Sequence, residues 1–192
     1  MTVNPGQKGG GFLGGSRLDA LLAEVRARFP RYTIRPRSSS ILTRWWGATF
    51  ATTIGNVTYA PAGFDGWPDA ERWALIRHEA VHTVQIHTWP LGPRVPWLNY
   101  VIYALAYVLA LPVLWTMRAR FECDAYTETV IAAAELGQLA TADQRAAKVA
   151  WLVDLFSGGS YVWMWRRGPA RAWASTIVEA AAAGALRSRW TA

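Results

Sequence analysis

Apolar residues recur at helical spacing along much of this 192-residue chain, and two short stretches break that rhythm with β-branched residues. In SRLDALLAEVRARFP, Leu18, Leu21, Leu22 and Val25 share a helical face. Ser16 can cap the run and Pro30 stops it. RYTIRP reads as a short strand. ATFATTIGNVTYAPAGFDG predicts a β-hairpin, with strands over Thr49–Ile54 and Val57–Tyr59 and the pair Gly55-Asn56 as a two-residue turn. PDAERWALIRHEAVHTVQIHTW follows as a helix. Pro68 lies near its start, Asp69 and Glu71 in its first turn, and the run ends before Pro90.

The next segment is a proline-rich loop, WPLGPRVP, and then an almost wholly apolar run over residues 95–117, interrupted by Asn99 and Pro112. RARFECDAYTETVIAAAELGQLA continues as helix. Thr141 and Gln144 fit a capping box that opens another helix. Gly158-Gly159-Ser160 breaks the chain, and an Ala-rich helix is predicted from about Pro169 to Leu186. Residues 1–16 read as a flexible Gly-rich tail. The pattern gives one α+β domain over 17–192, mostly α, with a small hairpin before the central helix and a helical C-terminal part.

Composition narrows this picture only a little. Half the residues are hydrophobic, which excludes a disordered chain. The net charge of +7, nearly all from Arg, is compatible with nucleic acid, anionic lipid or acidic partners and selects none of them. A single cysteine, Cys123, excludes an internal disulfide and a Cys-based zinc cluster. The N-terminus has no apolar core of signal-peptide length, so a cytoplasmic location is expected.

The candidate chemistry lies in HEAVH. The chain has three histidines, and His78 and His82 sit four apart around Glu79. On a helix they are about 40° apart on one face, so their rings can converge on one ion. Glu79, one step round, can reach a metal-bound water rather than the metal. Two His ligands with a Glu general base is the zincin arrangement. A third ligand is needed. His87, five residues past His82, points about 140° away and reads as a packing or surface histidine. RARFECDAY offers Glu122 and Asp124. Glu122 shares a helical face with Arg118 and Tyr126, and it is the expected ligand.

TTIGNVTYAPAGFD followed by HEAVHTVQ resembles the zincin-like metallopeptidases of the DUF4157 type, over roughly residues 45–87 and more loosely to 126. The resemblance implies a gluzincin-type zincin fold, with residues Thr52 to Thr58 as a sheet edge on which a substrate backbone pairs as an added strand. Glu122-Cys-Asp-Ala125 is similar to the E-x-x-A pattern of related membrane metallopeptidases and supports Glu122 as ligand. Where relatives often carry an Asp four residues after that Glu, this chain has Tyr126. Its hydroxyl can donate to a ligand or to a developing oxyanion. Arg118 and Tyr161 are the other candidates for that oxyanion role.

The apolar run is long enough to span a bilayer, and Trp97, Tyr100, Trp115 and Arg118 flank it like interfacial anchors. But His82 precedes it and Glu122 follows it, so a shared ion places both flanks on one side. What remains is a core helix, a re-entrant hairpin, or a segment on a membrane surface. The expectation is therefore a zinc metallopeptidase acting on a peptide or protein substrate, with metal held by His78, His82 and Glu122 and catalysis by Glu79 and Tyr126. The alternatives are a zinc-containing binding module without turnover, a basic DNA-associated protease, and a small membrane protein in which HEAVH is accidental.

Overall fold

The computed structural model describes residues 16–40, 50–88, 96–108, 112–159 and 165–190. Among these are six α-helices and one small three-stranded sheet. Helix α1 (Arg17–Arg28) begins at Ser16, whose hydroxyl accepts from the Asp19 amide while the Asp19 carboxylate accepts from the Ser16 amide. Ser16, counted with the tail in the sequence, thus belongs to the helix. The expected tail up to residue 15, the loop at 89–95 and Tyr161 lie outside the described residues.

Strand β1 (Thr33–Pro36) pairs in parallel with β3 (Val57–Ala60), and β2 (Thr52–Ile54) pairs antiparallel with β3. The sheet order is β1-β3-β2, which leaves β2 at an edge. The β2–β3 turn is the expected one. Gly55 has φ of 64°, and a Cβ there would run into the Tyr100 ring, so glycine is required on both counts.

Helix α2 (Asp69–Thr88) carries HEAVH. It starts where the Pro68 carbonyl accepts from the Glu71 and Arg72 amides. The apolar run expected as one helix over 95–117 is divided between α3 (Pro96–Val108) and the start of α4 (Pro112–Glu135), and the two pack on each other. The physical reason is Pro112. It has no N–H to continue a helix but is favoured in the first turn of a new one. Among the described residues no helix is long and apolar enough to cross a membrane. Trp97, Val101 and Leu105, spaced four apart on α3, are exposed. Helix α5 (Ala142–Ser157) opens with the expected Thr141/Gln144 capping box. Helix α6 (Arg167–Ala182) begins two residues before the expected start and ends four before the expected end.

Two cores result. Leu18, Val25, Tyr32, Trp73, Ile76 and Ala80 join α1, the sheet and α2. Val130, Leu152, Val153, Phe156, Ala174 and Val178 join α4, α5 and α6. Between the cores, α2 lies against α4, and fully buried Ala80, Ala125 and Ala132 on the two helices take up little room. A buried ion cluster fixes how they meet. Arg77 has no exposed surface. Its Nε donates to Glu128 at 2.8 Å, and its two terminal nitrogens donate to Glu135 at 2.9 and 3.0 Å. The guanidinium also stacks on Trp73. Glu128 accepts further from the Ser188 hydroxyl and the Arg189 amide, tying the C-terminal segment to α4.

Removing Arg77 strands the buried Glu128 carboxylate out of water, whereas Glu135 is partly solvated. Arg77→Ala is expected to cost about 3–5 kcal/mol of stability. Urea unfolding followed by circular dichroism checks this; a loss below about 1 kcal/mol would show that the cluster does not organise the helix pair.

Candidate metal centre

The α2–α4 contact brings three donor groups together. His78 and His82 stand one turn apart on α2, and Glu122 faces them from α4. The Glu122 Oε2 lies 3.8 Å from His78 Nε2 and 3.9 Å from His82 Nε2. All three residues are buried, and their donor atoms lie within 4.8 Å of one another. Ligands about 2.1 Å from a tetrahedral zinc are roughly 3.4 Å apart. The two Glu122–His distances exceed that by a few tenths of an ångström and the whole set lies within 4.8 Å, so side-chain shifts that draw the donors together would fit such an ion.

The far sides of both rings show why the lone pairs point inward. Gln85 donates from Nε2 to the Phe121 carbonyl at 3.0 Å, which turns its Oε1 toward His82 Nδ1 at 2.9 Å. An amide oxygen only accepts, so His82 carries its proton on Nδ1 and its lone pair on Nε2. Thr129 does the same for His78. Its hydroxyl donates back to the Ala125 carbonyl at 3.4 Å and lies 3.0 Å from His78 Nδ1. Burial, with His82 close by, holds the His78 pKa well below the usual histidine range, so the ring stays neutral and able to ligate. Tyr103 adds a hydroxyl 3.3 Å from His82 Nδ1.

Glu79 is buried one step round α2 from His78, where it faces the sheet. Thr53 Oγ1 donates to its Oε2 at 2.7 Å. Thr53 is 2.9 Å from Thr58, and Thr58 is 2.8 Å from Tyr32. With Glu79 ionised, the hydroxyls align in one direction, from Tyr32 through Thr58 and Thr53 to the carboxylate. Burial raises the Glu79 pKa, and Glu122 adds to the rise. His82, the Thr53 hydrogen bond and Arg37 pull it back down. Arg37 is buried and bonds to the Phe50 carbonyl at the sheet edge.

A cleft of about 390 Å³ opens onto this side of α2. His78 and Glu79 form part of its wall, with Tyr126 and Thr129 from α4 and Trp151 from α5.

His78, His82 and Glu122, expected to act together, do converge. Glu79 lies in the same region. Tyr126 is on the cleft wall with its ring edge-on to His78, centroids 4.5 Å apart. Asp124 is not in the donor set; its Oδ2 pairs with Arg189 at 3.2 Å and accepts from Gln85 Nε2 at 3.4 Å. His87 is remote from the donor cluster. It stacks on Phe29 and bonds to Asn56 at 2.7 Å, bracing the hairpin turn. Arg37, Tyr103 and Thr129 were not among the expected residues, and Thr53 was expected only within the substrate-pairing edge Thr52 to Thr58, not as a partner of Glu79. Only Thr129 left a trace in the sequence: it lies seven residues, two turns, beyond Glu122 on the same helical face. Cys123 is excluded as a nucleophile, because burial, with Asp124 and Glu122 nearby, pushes its thiol up to about 12.

The chain matches no protein-family model, no curated protein and no solved structure.

Two outcomes follow from this geometry. Purified protein supplied with zinc should retain about one equivalent by elemental analysis, Glu122→Ala should lose it, and Gln85→Ala or Thr129→Ala should weaken affinity about 10–100-fold. Unchanged retention in Glu122→Ala would remove that carboxylate from the centre. The Cys123 thiol should react with a neutral disulfide reagent at pH 8 on the order of a thousandfold more slowly than free cysteine; a rate near that of the free amino acid would contradict its protection.

Proposed function

We propose that this chain is a zinc metallopeptidase of zincin type. The observation that carries the proposal is the pairing of a buried three-donor cluster with a separate buried carboxylate, Glu79, beside a cleft. The HEAVHTVQ stretch and the hairpin before it agree with it. His78, His82 and Glu122 would hold the metal, which when bound supplies Lewis acidity toward a carbonyl oxygen and toward water.

The chain's own residues do the rest. Glu79 takes a proton from the attacking water and returns it to the leaving amide nitrogen. Its raised pKa brings it closer to the basicity that this double role requires. Thr53 fixes one of its oxygens, so the other is free to turn toward the reacting water. Gln85 and Thr129 hold the two imidazoles in one tautomer through the cycle. Tyr126, on the wall beside His78, is the hydroxyl donor for the substrate oxygen that gains negative charge. The edge of β2, outermost among the described strands, takes the substrate backbone as an added strand.

Glu79→Gln should keep its metal and lose peptide cleavage by a factor of about 10²–10⁴. Cleavage that survives this change at near wild-type rate would assign the base elsewhere. The pH profile gives an independent check. Glu79 must be ionised to act, so kcat/KM should rise with pH through its pKa, with a midpoint above 4.5. The Thr53 hydrogen bond favours the ionised form, so Thr53→Val should move that acid limb to higher pH. A shift to lower pH, or none, would refute the role of Thr53.

A further inference from the structure

The cleft extends well past the reacting groups. From His78 a continuous aromatic wall leads along it to α5. The Tyr126 ring lies 4.5 Å from the His78 ring, the Trp151 ring lies 5.6 Å from Tyr126, and the Lys148 Nζ sits 4.7 Å above the Trp151 ring. Most of the lining between these points is apolar, including Ala133, Leu136 and Leu155.

Lys148 stands out against that lining. It is the only lysine among the described residues. It forms no ion pair or hydrogen bond there, and its one charge contact is with the face of Trp151. Burial lowers its pKa below the usual lysine range, and no carboxylate among the described residues opposes the shift. A partly desolvated ammonium on an apolar wall is an incomplete ion pair. Its natural complement is a carboxylate brought by a ligand. The Trp151 side chain, 43% exposed and part of the cleft lining, would meanwhile pack against the apolar part of that ligand.

We propose that Lys148 is a specificity residue that binds a substrate carboxylate at the α5 end of the cleft, so that the site selects peptides carrying an acidic group a few residues from the bond that is cut. The three ring contacts place the ammonium within about 15 Å of the His78 ring. An extended peptide covers that span in about four residues, at roughly 3.4 Å each. Two sources can supply the carboxylate: an Asp or Glu side chain, or the C-terminus of a short peptide. The substrate class rests on the metallopeptidase proposal, but peptide binding at this end of the cleft does not require turnover.

The test uses the full chain carrying Glu79→Gln, supplied with zinc, so that peptides are bound without being consumed. Labelled octapeptides of small and apolar residues, with one Glu stepped through every position, are compared by fluorescence anisotropy with the same peptides carrying Gln. Each is made with a free and with an amidated C-terminus. At low salt, Glu at one or two positions should tighten binding about tenfold over Gln. That preference should vanish in Lys148→Gln and persist in Lys148→Arg. A preference that follows the free C-terminus instead, with the same dependence on Lys148, assigns the carboxylate to the chain end and supports the proposal equally. Equal binding of acid and amide peptides, a preference that survives Lys148→Gln, or no peptide binding at all overturns it. Mass spectrometry of the same peptides with the wild-type chain separates the two ideas. Acid-selective binding without cleavage removes the peptidase and leaves the subsite, whereas cleavage indifferent to acid removes the subsite and leaves the peptidase.

Discussion

The arrangement of this protein depends on burying one guanidinium correctly. Arg77 cannot leave water unless both Glu128 and Glu135 meet it, and those two lie seven residues apart on one stripe of α4. Only one axial placement of α2 against α4 satisfies that demand. In the same placement the next residue, His78, meets a second stripe, where Glu122 and Thr129 are also seven apart. A rotation or slide of one residue would separate Arg77 from its carboxylates and His78 from Glu122 at once. The ion cluster contributes no chemistry to the cleft, yet it sets the register on which the donor set relies.

The same cluster reaches beyond the two helices. Glu128 has oxygens left after meeting Arg77, and they take the Ser188 hydroxyl and the Arg189 amide. That holds the segment after α6 across α4, and Trp190 is buried among the side chains of α1 and α2. Residues far apart in sequence thereby close the core that supports HEAVH from behind. The other support comes from the sheet. Its inner face is unusual in presenting Thr53 and Thr58 rather than aliphatic side chains, because the group it must satisfy is a buried carboxylate.

How much of this could be read from the sequence follows the distance over which each feature is encoded. The caps at Ser16 and Thr141 and the turn at Gly55 need only two to four neighbouring residues, and each was legible. The convergence of His78 and His82 needs only helical periodicity. Choosing Glu122 over Asp124 needed one further step, the face that α4 turns inward, and that too was accessible. The partners of Glu79 were not. Thr53 lies 26 residues away on a strand whose inward face no local pattern reveals. Arg77, inside the motif helix, looks like an ordinary solvated charge until α4 is placed against it. The apolar run misled for a different reason: its hydrophobicity is continuous, while its backbone is divided near Pro112 by a missing N–H that hydropathy does not register.

The two buried carboxylates near the donor set show how position on the fold assigns chemistry. Glu122 projects from a helix toward two imidazole nitrogens whose protons have been drawn to the other side of each ring. Its oxygens face lone pairs, an arrangement that a cation between them would relieve. Glu79 faces hydroxyls and the Arg37 charge from the sheet side, and burial and Glu122 raise its pKa against their pull. In the proposed peptidase, one carboxylate would be completed by the metal ion and the other by a proton that comes and goes. Their difference arises from which element packs opposite each, since both begin as a glutamate on a helix. That division of labour is what hydrolysis of an unactivated amide requires: one group to hold an electrophile and another to move a proton.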